Sequence, residues 1–89
     1  MTMIWKFPLG APTNVRSVEM PMNSEILCVQ VQNGEPCLWA KVSDIAPKTT
    51  RIIETFVTGQ PMPLEDRRQY IGTYQLAGGA LVFHVFERI

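Results

Sequence analysis

The chain has 89 residues, a formal net charge of zero and 46% hydrophobic residues. That fits one globular β domain spanning residues 1–89 and excludes wholesale disorder. The charge balance also excludes a strong nucleic-acid footprint, leaving Arg67-Arg68 as the best seed for a local basic patch. A domain this short buries only about 60–65% of its unfolded surface, so oligomerisation is a natural supplement to its stability.

No helical periodicity of useful length appears, and seven stretches read as strands. Met3–Phe7 is the first, stopped by Pro8 and Gly10. Val15–Met20 is the second, stopped by Pro21. Glu25–Gln32 and Pro36–Val42 form a hairpin around Asn33-Gly34. That dipeptide suits a type I′ turn, which needs positive φ at both central residues. Arg51–Thr58 is the fifth strand, rich in β-branched residues. Tyr70–Ala77 and Ala80–Glu87 form a second hairpin around Gly78-Gly79. The longer connections are Ser43–Thr50 and Gly59–Gln69. The second carries Pro61, Pro63 and Glu65-Asp66-Arg67-Arg68, a charged tail long enough for one helical turn. The fold class is all-β: a small single-domain sandwich or partly open barrel of about seven short, mainly antiparallel strands.

Strand alternation assigns the faces. Leu27, Val29 and Val31 share a face with Leu38, Ala40 and Val42, and this face must be core. The opposite face carries Ile26, Cys28, Gln30 and Gln32 beside Cys37, Trp39 and Lys41. In this register Cys28 faces Trp39 and Cys37 faces Gln30, so the thiols are diagonal neighbours, poorly placed for a bridge, and both read as reduced. In the second hairpin Tyr74 pairs with Phe83 and Leu76 with Leu81 on one face. Gln75 pairs with Val82, Thr73 with His84 and Ile71 with Phe86 on the other. Both faces are rich in apolar groups, so the second needs a cover, either a long loop or another subunit.

Chemistry is sparse. His84, the single histidine, could be a general base or a ligand contact; the plainer reading is a strand histidine bonded to Thr73 or backbone. No nucleophile, base and orienting acid can be assembled, no metal-ligand spacing is present, and the glycines form no phosphate loop. The expectation is a non-enzyme with no cofactor and no metal. Trp39 beside Gln30 is more suggestive: an indole can stack on a planar group while amides read its edge. The alternative is that Trp39 simply seals the back of the hairpin. Trp5 is either a second platform or a plug of one sandwich end. Arg51, Arg67 and Arg68 could meet phosphate or carboxylate groups, although Glu65-Asp66 offers local neutralisation of the last two. The candidate ligand-binding residues are therefore Gln30, Trp39, Arg51, Arg67, Arg68 and His84. The opening residues lack the basic region and long apolar run of a signal peptide, and no run approaches the roughly 18 residues of a membrane span. A cytoplasmic protein is expected.

Several segments, taken in order, resemble a family of small uncharacterised phage and prophage proteins. They are Ile-Leu-Cys-Val-Gln-Val-Gln-Asn-Gly, Cys-Leu-Trp-Ala-Lys-Val, Val-Thr-Gly-Gln-Pro-Met-Pro, Tyr-Ile-Gly-Thr-Tyr-Gln-Leu and Leu-Val-Phe-His-Val-Phe-Glu. The resemblance covers nearly the whole chain. Where the family pattern commonly has a histidine after the glycine at Gly59, this chain has Gln60, which weakens any role needing two histidines. The resemblance implies a host-cell setting and action by binding. The expected partner is a nucleotide-like immune signal to be sequestered; the alternatives are a host protein to be inhibited, or a place as a minor virion component.

Overall fold

Asn33 and Gly34 take φ values of 51° and 80°, and their two-residue loop sets Gln32 opposite Glu35. The hairpin they close belongs to a computed structural model that describes residues 1–64 and 67–89. Glu65 and Asp66 lie outside the described residues, and with them the charged tail's predicted helical turn and local neutralisation. The strands are β1 (Thr2–Pro8), β2 (Val15–Pro21), β3 (Glu25–Gln32), β4 (Glu35–Ser43), β5 (Lys48–Val57), β6 (Arg68–Leu76) and β7 (Leu81–Arg88). All seven predicted strands are present, with modest shifts at their ends.

Pairing is antiparallel throughout, in two sheets of order β1-β4-β3 and β2-β5-β7-β6. Of the two architectures the sequence allowed, this is the sandwich; the sheets do not close into a barrel. Its Cα envelope is 40 × 34 × 16 Å, thin enough for only two layers. Between them, Val29 and Leu38 from the three-stranded sheet meet Val18, Met20, Ile53, Tyr74 and Val85 from the four-stranded sheet. Among the described residues no helix is long and apolar enough to cross a membrane.

Two β-bulges correct the sequence-based faces. In β3 the register shifts between Ile26 and Cys28, leaving Leu27 as the extra residue. Beyond it Val29 faces Leu38 and Cys28 faces Trp39, as expected. Before it the alternation reverses, so Ile26 rather than Leu27 lies opposite Ala40, and Leu27 turns outward, 44% exposed. Val31, near the hairpin tip opposite Pro36, is also exposed rather than core. In β6 the shift falls between Tyr70 and Gly72. Tyr70, not Ile71, therefore faces Phe86, whereas the pairs from Thr73–His84 to Leu76–Leu81 stand as expected. The second turn is also longer than two glycines, with Ala77 joining Gly78 and Gly79 at positive φ.

The sheets meet where β3 and β6, an edge strand from each, come together. A Cβ on Gly72 would lie 2.9 Å from Val29 Cγ1. Glycine is required there because a side chain would have to displace a stiff β-branched neighbour. On the outer face of the four-stranded sheet, the chain supplies much of its own cover. Phe86 packs edge-on against Phe56 and Tyr70, and residues Gln60, Pro61 and Pro63 line a hollow beside Phe56 and Glu54. Gln60 holds that loop by donating to Asn14 Oδ1 (3.0 Å) and accepting from Val57 N–H (3.1 Å).

Gly72→Ala should cost about 1–3 kcal/mol through overpacking, a fall of roughly 4–8 °C in Tm per kcal/mol. Adding Val29→Ala should make the pair less destabilised than the sum of the single changes. Thermal and urea unfolding of the four proteins in the cycle measures this, and strict additivity would contradict the contact.

Candidate functional site

The two bulges lie at one end of the sandwich and frame a cleft of about 330 Å³. Ile26 and Leu27 form one wall; Tyr70 and Ile71 form the other. Its floor is an ion pair between Arg51 and Glu87. The strands explain the placement: Arg51 lies opposite Val18 on β2, and Glu87 lies opposite Ile53, so both point inward at the end of the core. Arg51 is clamped on several sides. Its Nε and Nη2 both donate to the Glu87 carboxylate, the latter at 2.9 Å, and Nη1 donates to the Ser24 carbonyl at 3.0 Å. Nη1 also approaches Met20 Sδ at 3.5 Å. The hydrogen bond to Glu87 pushes the guanidinium pKa up, and burial only partly opposes it. Glu87 is 8% exposed, so the pair is held in a largely desolvated setting.

Ser24 belongs to the tight turn between β2 and β3. Asn23 has φ 63°, and Ser24 Oγ donates to the Pro21 carbonyl at 2.5 Å. Arg51 thereby ties this turn to β5 and β7. On the turn's other side Met22, Asn23 and Thr49 line a second hollow of about 440 Å³, which shares Ser24 and Arg51 with the cleft. Of the charged groups lining the cleft, Glu25 and Glu87 outnumber Arg51, although Lys41 lies 3.3 Å from Glu25.

The other candidate residues are elsewhere. Trp39 and Gln30 lie on the outer face of the three-stranded sheet, Trp39 between Lys6 and Cys28 and Gln30 opposite Cys37. Lys6 Nζ donates to Gln32 Oε1 at 2.8 Å, bridging from β1 to β3 across this face. Trp39 is half-buried and Cys37 buried; both cysteines are free thiols, as expected. Burial pushes the Cys37 pKa up, with Lys6 opposing, so the thiolate a nucleophile needs is disfavoured.

His84 sits on the outer face of the four-stranded sheet between two hydroxyls. Nε2 is 2.7 Å from Thr58 Oγ1, Nδ1 is 3.1 Å from Thr73 Oγ1, and Thr73 is 2.6 Å from the Tyr70 hydroxyl. Both ring nitrogens thus have partners, in line with the plainer sequence reading. Arg68 donates to Glu54 Oε1 at 2.8 Å and to the Pro63 carbonyl at 2.9 Å, and its guanidinium lies over the Phe56 ring. Arg88 donates to the other Glu54 oxygen at 2.8 Å. Glu54 is only 3% exposed. Burial alone would raise its pKa, but the hydrogen bonds and charges of Arg88 and Arg68 outweigh that and hold it below the ordinary carboxylate range. Arg67 is exposed, and its carbonyl accepts from Ile89 N–H.

Of the six candidate residues only Arg51 lines the cleft; Trp39 and Gln30 share the outer face of one sheet, and His84 and Arg68 that of the other. Sequence reasoning missed Glu54, Glu87, Ser24 and the bulges. One signal was available: each glutamate sits inside an apolar strand, in Ile-Ile-Glu-Thr-Phe and Val-Phe-Glu-Arg, where an acid needs a buried partner. Among the described residues no group of three or more His, Cys, Asp or Glu comes together to hold a metal. A family model, Domain of unknown function (DUF7352), matches residues 1–89. No curated protein and no solved structure matches the chain.

Because the folded Glu54 pKa is depressed, its contribution to stability is complete above the unfolded carboxylate pKa of about 4.3. It is lost as pH falls through the lower folded value. Urea unfolding between pH 7 and pH 2 should show that acid limb. Glu54→Gln should flatten it while costing about 3–5 kcal/mol at pH 7, since it removes the charge of the buried carboxylate that Arg68 and Arg88 share.

Proposed function

We propose that this chain, which belongs to the DUF7352 family, is a non-catalytic binding protein that takes a small ligand in the Arg51 cleft. The observation that supports this reading is the cleft itself. Its floor is built from a clamped guanidinium–carboxylate pair, and Ile26 and Ile71 stand on either side of it with the exposed Gln69 beside them. A planar group can lie between these aliphatic side chains while the amide reads its edge. At about 330 Å³ the cleft is near the lower end of ligand-pocket sizes, which suits one nucleobase-bearing unit. The surplus of carboxylates disfavours a string of phosphates, because Arg51 is already paired with Glu87. The setting we assign is that of the resemblance: an accessory factor of phage or prophage genomes, acting in the host cytoplasm by sequestering a nucleotide-type signal.

A second reading follows from the outer face of the three-stranded sheet. Trp39 is half-buried there, and Ile4 on the same face is exposed. An aromatic beside exposed aliphatic surface suits contact with a host protein.

Titrating isotope-labelled protein with nucleosides, nucleoside monophosphates and cyclic nucleotides should shift the amide resonances of Leu27, Tyr70 and Ile71. Gln69→Ala should weaken binding by roughly 2- to 12-fold, the range set by loss of one hydrogen bond at about 0.5–1.5 kcal/mol. If no panel member moves cleft resonances at millimolar concentration, the ligand reading fails. Shifts around Trp39 on adding a host protein fraction would favour the second reading.

A further inference from the structure

We infer that the outer edge of β1 is a self-association surface, and that its partner is β1 of a second copy of this chain. The two sheets present four edge strands, β1, β3, β2 and β6. β3 and β6 shield one another where Gly72 meets Val29. β2 meets its own upstream loop only at its start, where Thr13 Oγ1 donates to the Val15 carbonyl and Arg16 to Ala11 O, so its outer edge is open beyond that point. No described strand pairs with the outer edge of β1.

Met1 O accepts from Asp44 N, and Leu9 N donates to Pro36 O. Both lie in the β1–β4 register, so Met3, Trp5 and Phe7 direct their backbone groups to β4. Thr2, Ile4 and Lys6 then direct N–H and C=O outward, and Pro8 directs its C=O outward.

This edge is complementary to itself. Two copies of β1 laid antiparallel about a two-fold axis at Trp5 set Ile4 opposite Lys6 of the other copy. These residues exchange both backbone hydrogen bonds, and Thr2 N–H donates to the Pro8 carbonyl. No like charges meet, because Lys6 is the only charged side chain on β1 and faces an isoleucine. The side-chain pattern agrees. Met3, Trp5 and Phe7 face the core side yet stay half-buried, and Ile4 is 60% exposed on the other face. In the paired arrangement the two Trp5–Phe7 ring pairs of 6.3 Å come side by side across the axis. The result is a continuous six-stranded sheet, β3-β4-β1-β1-β4-β3. β3 stays at its far edges, so the Arg51 cleft remains open and this inference does not depend on it.

Sedimentation velocity across a concentration series tests the pairing. The wild-type chain should approach twice its 10.1 kDa mass as concentration rises. Ile4→Pro removes one outward N–H without breaking the β4 ladder, and should give a folded monomer. Ile4→Lys sets two like-charge pairs across the axis and should weaken association roughly tenfold, whereas Ile4→Glu should preserve or tighten it. A wild-type monomer at about 1 mM overturns the inference. So does a folded Ile4→Pro variant that stays dimeric, or an Ile4→Glu variant that weakens association as much as Ile4→Lys.

Discussion

The close approach of Val29 to Gly72 is the contact on which the rest of this molecule depends. It joins the two sheets through one edge strand of each. Because β3 and β6 press together there, their next residues have to diverge. Each strand does so with a β-bulge, at Leu27 and at Ile71. Bulges add local twist and swing side chains out of alternation, and the cleft is the space they leave. At the opposite edge of the same sheet, β1 is left with only β4 as a neighbour. The concave site thus lies beside the contact at one edge of the sheet, and the strand without a second neighbour lies at the other.

Charge is handled in a second way that belongs to the fold. The four-stranded sheet carries two acids on its central strands, Glu54 on β5 and Glu87 on β7, and both are buried. Neither is tolerable alone in such a setting. Arg51 satisfies Glu87 on the inner face, whereas Arg68 and Arg88 satisfy Glu54 on the outer face. Removing Arg51 would strand the buried Glu87, whereas Glu54 keeps one arginine when the other is lost. The Arg51 clamp also forms the floor of the cleft, so the same pair that holds the β2–β3 turn defines the polar end of the proposed ligand site.

Strand identity, both hairpins and much of their register could be read from the sequence. Asn33-Gly34 sets the first register through its backbone conformation. Two glycines beside apolar pairs did nearly as much for the second. The bulges could not be read, and the reason is specific. Ile26-Leu27 and Tyr70-Ile71 are each two apolar residues in a row, so alternation cannot say which one faces the core. The site suffered for the same reason that ion pairs usually do. Arg51 and Glu87 are 36 residues apart, and nothing local marks them as partners. Trp39 and Gln30 drew attention as residue types, but they stand on a face separate from Arg51.

The sequence by itself determined that this is one β domain, where its turns fall, and that Cys28 faces Trp39 while Cys37 faces Gln30. Those are local properties of backbone preference and period-two alternation, which act between near neighbours. Only the tertiary structure decided which sheet edges meet, which arginine reaches which glutamate and where the cleft opens. These depend on side chains from distant strands competing for the same buried volume, and no short window of sequence contains both competitors.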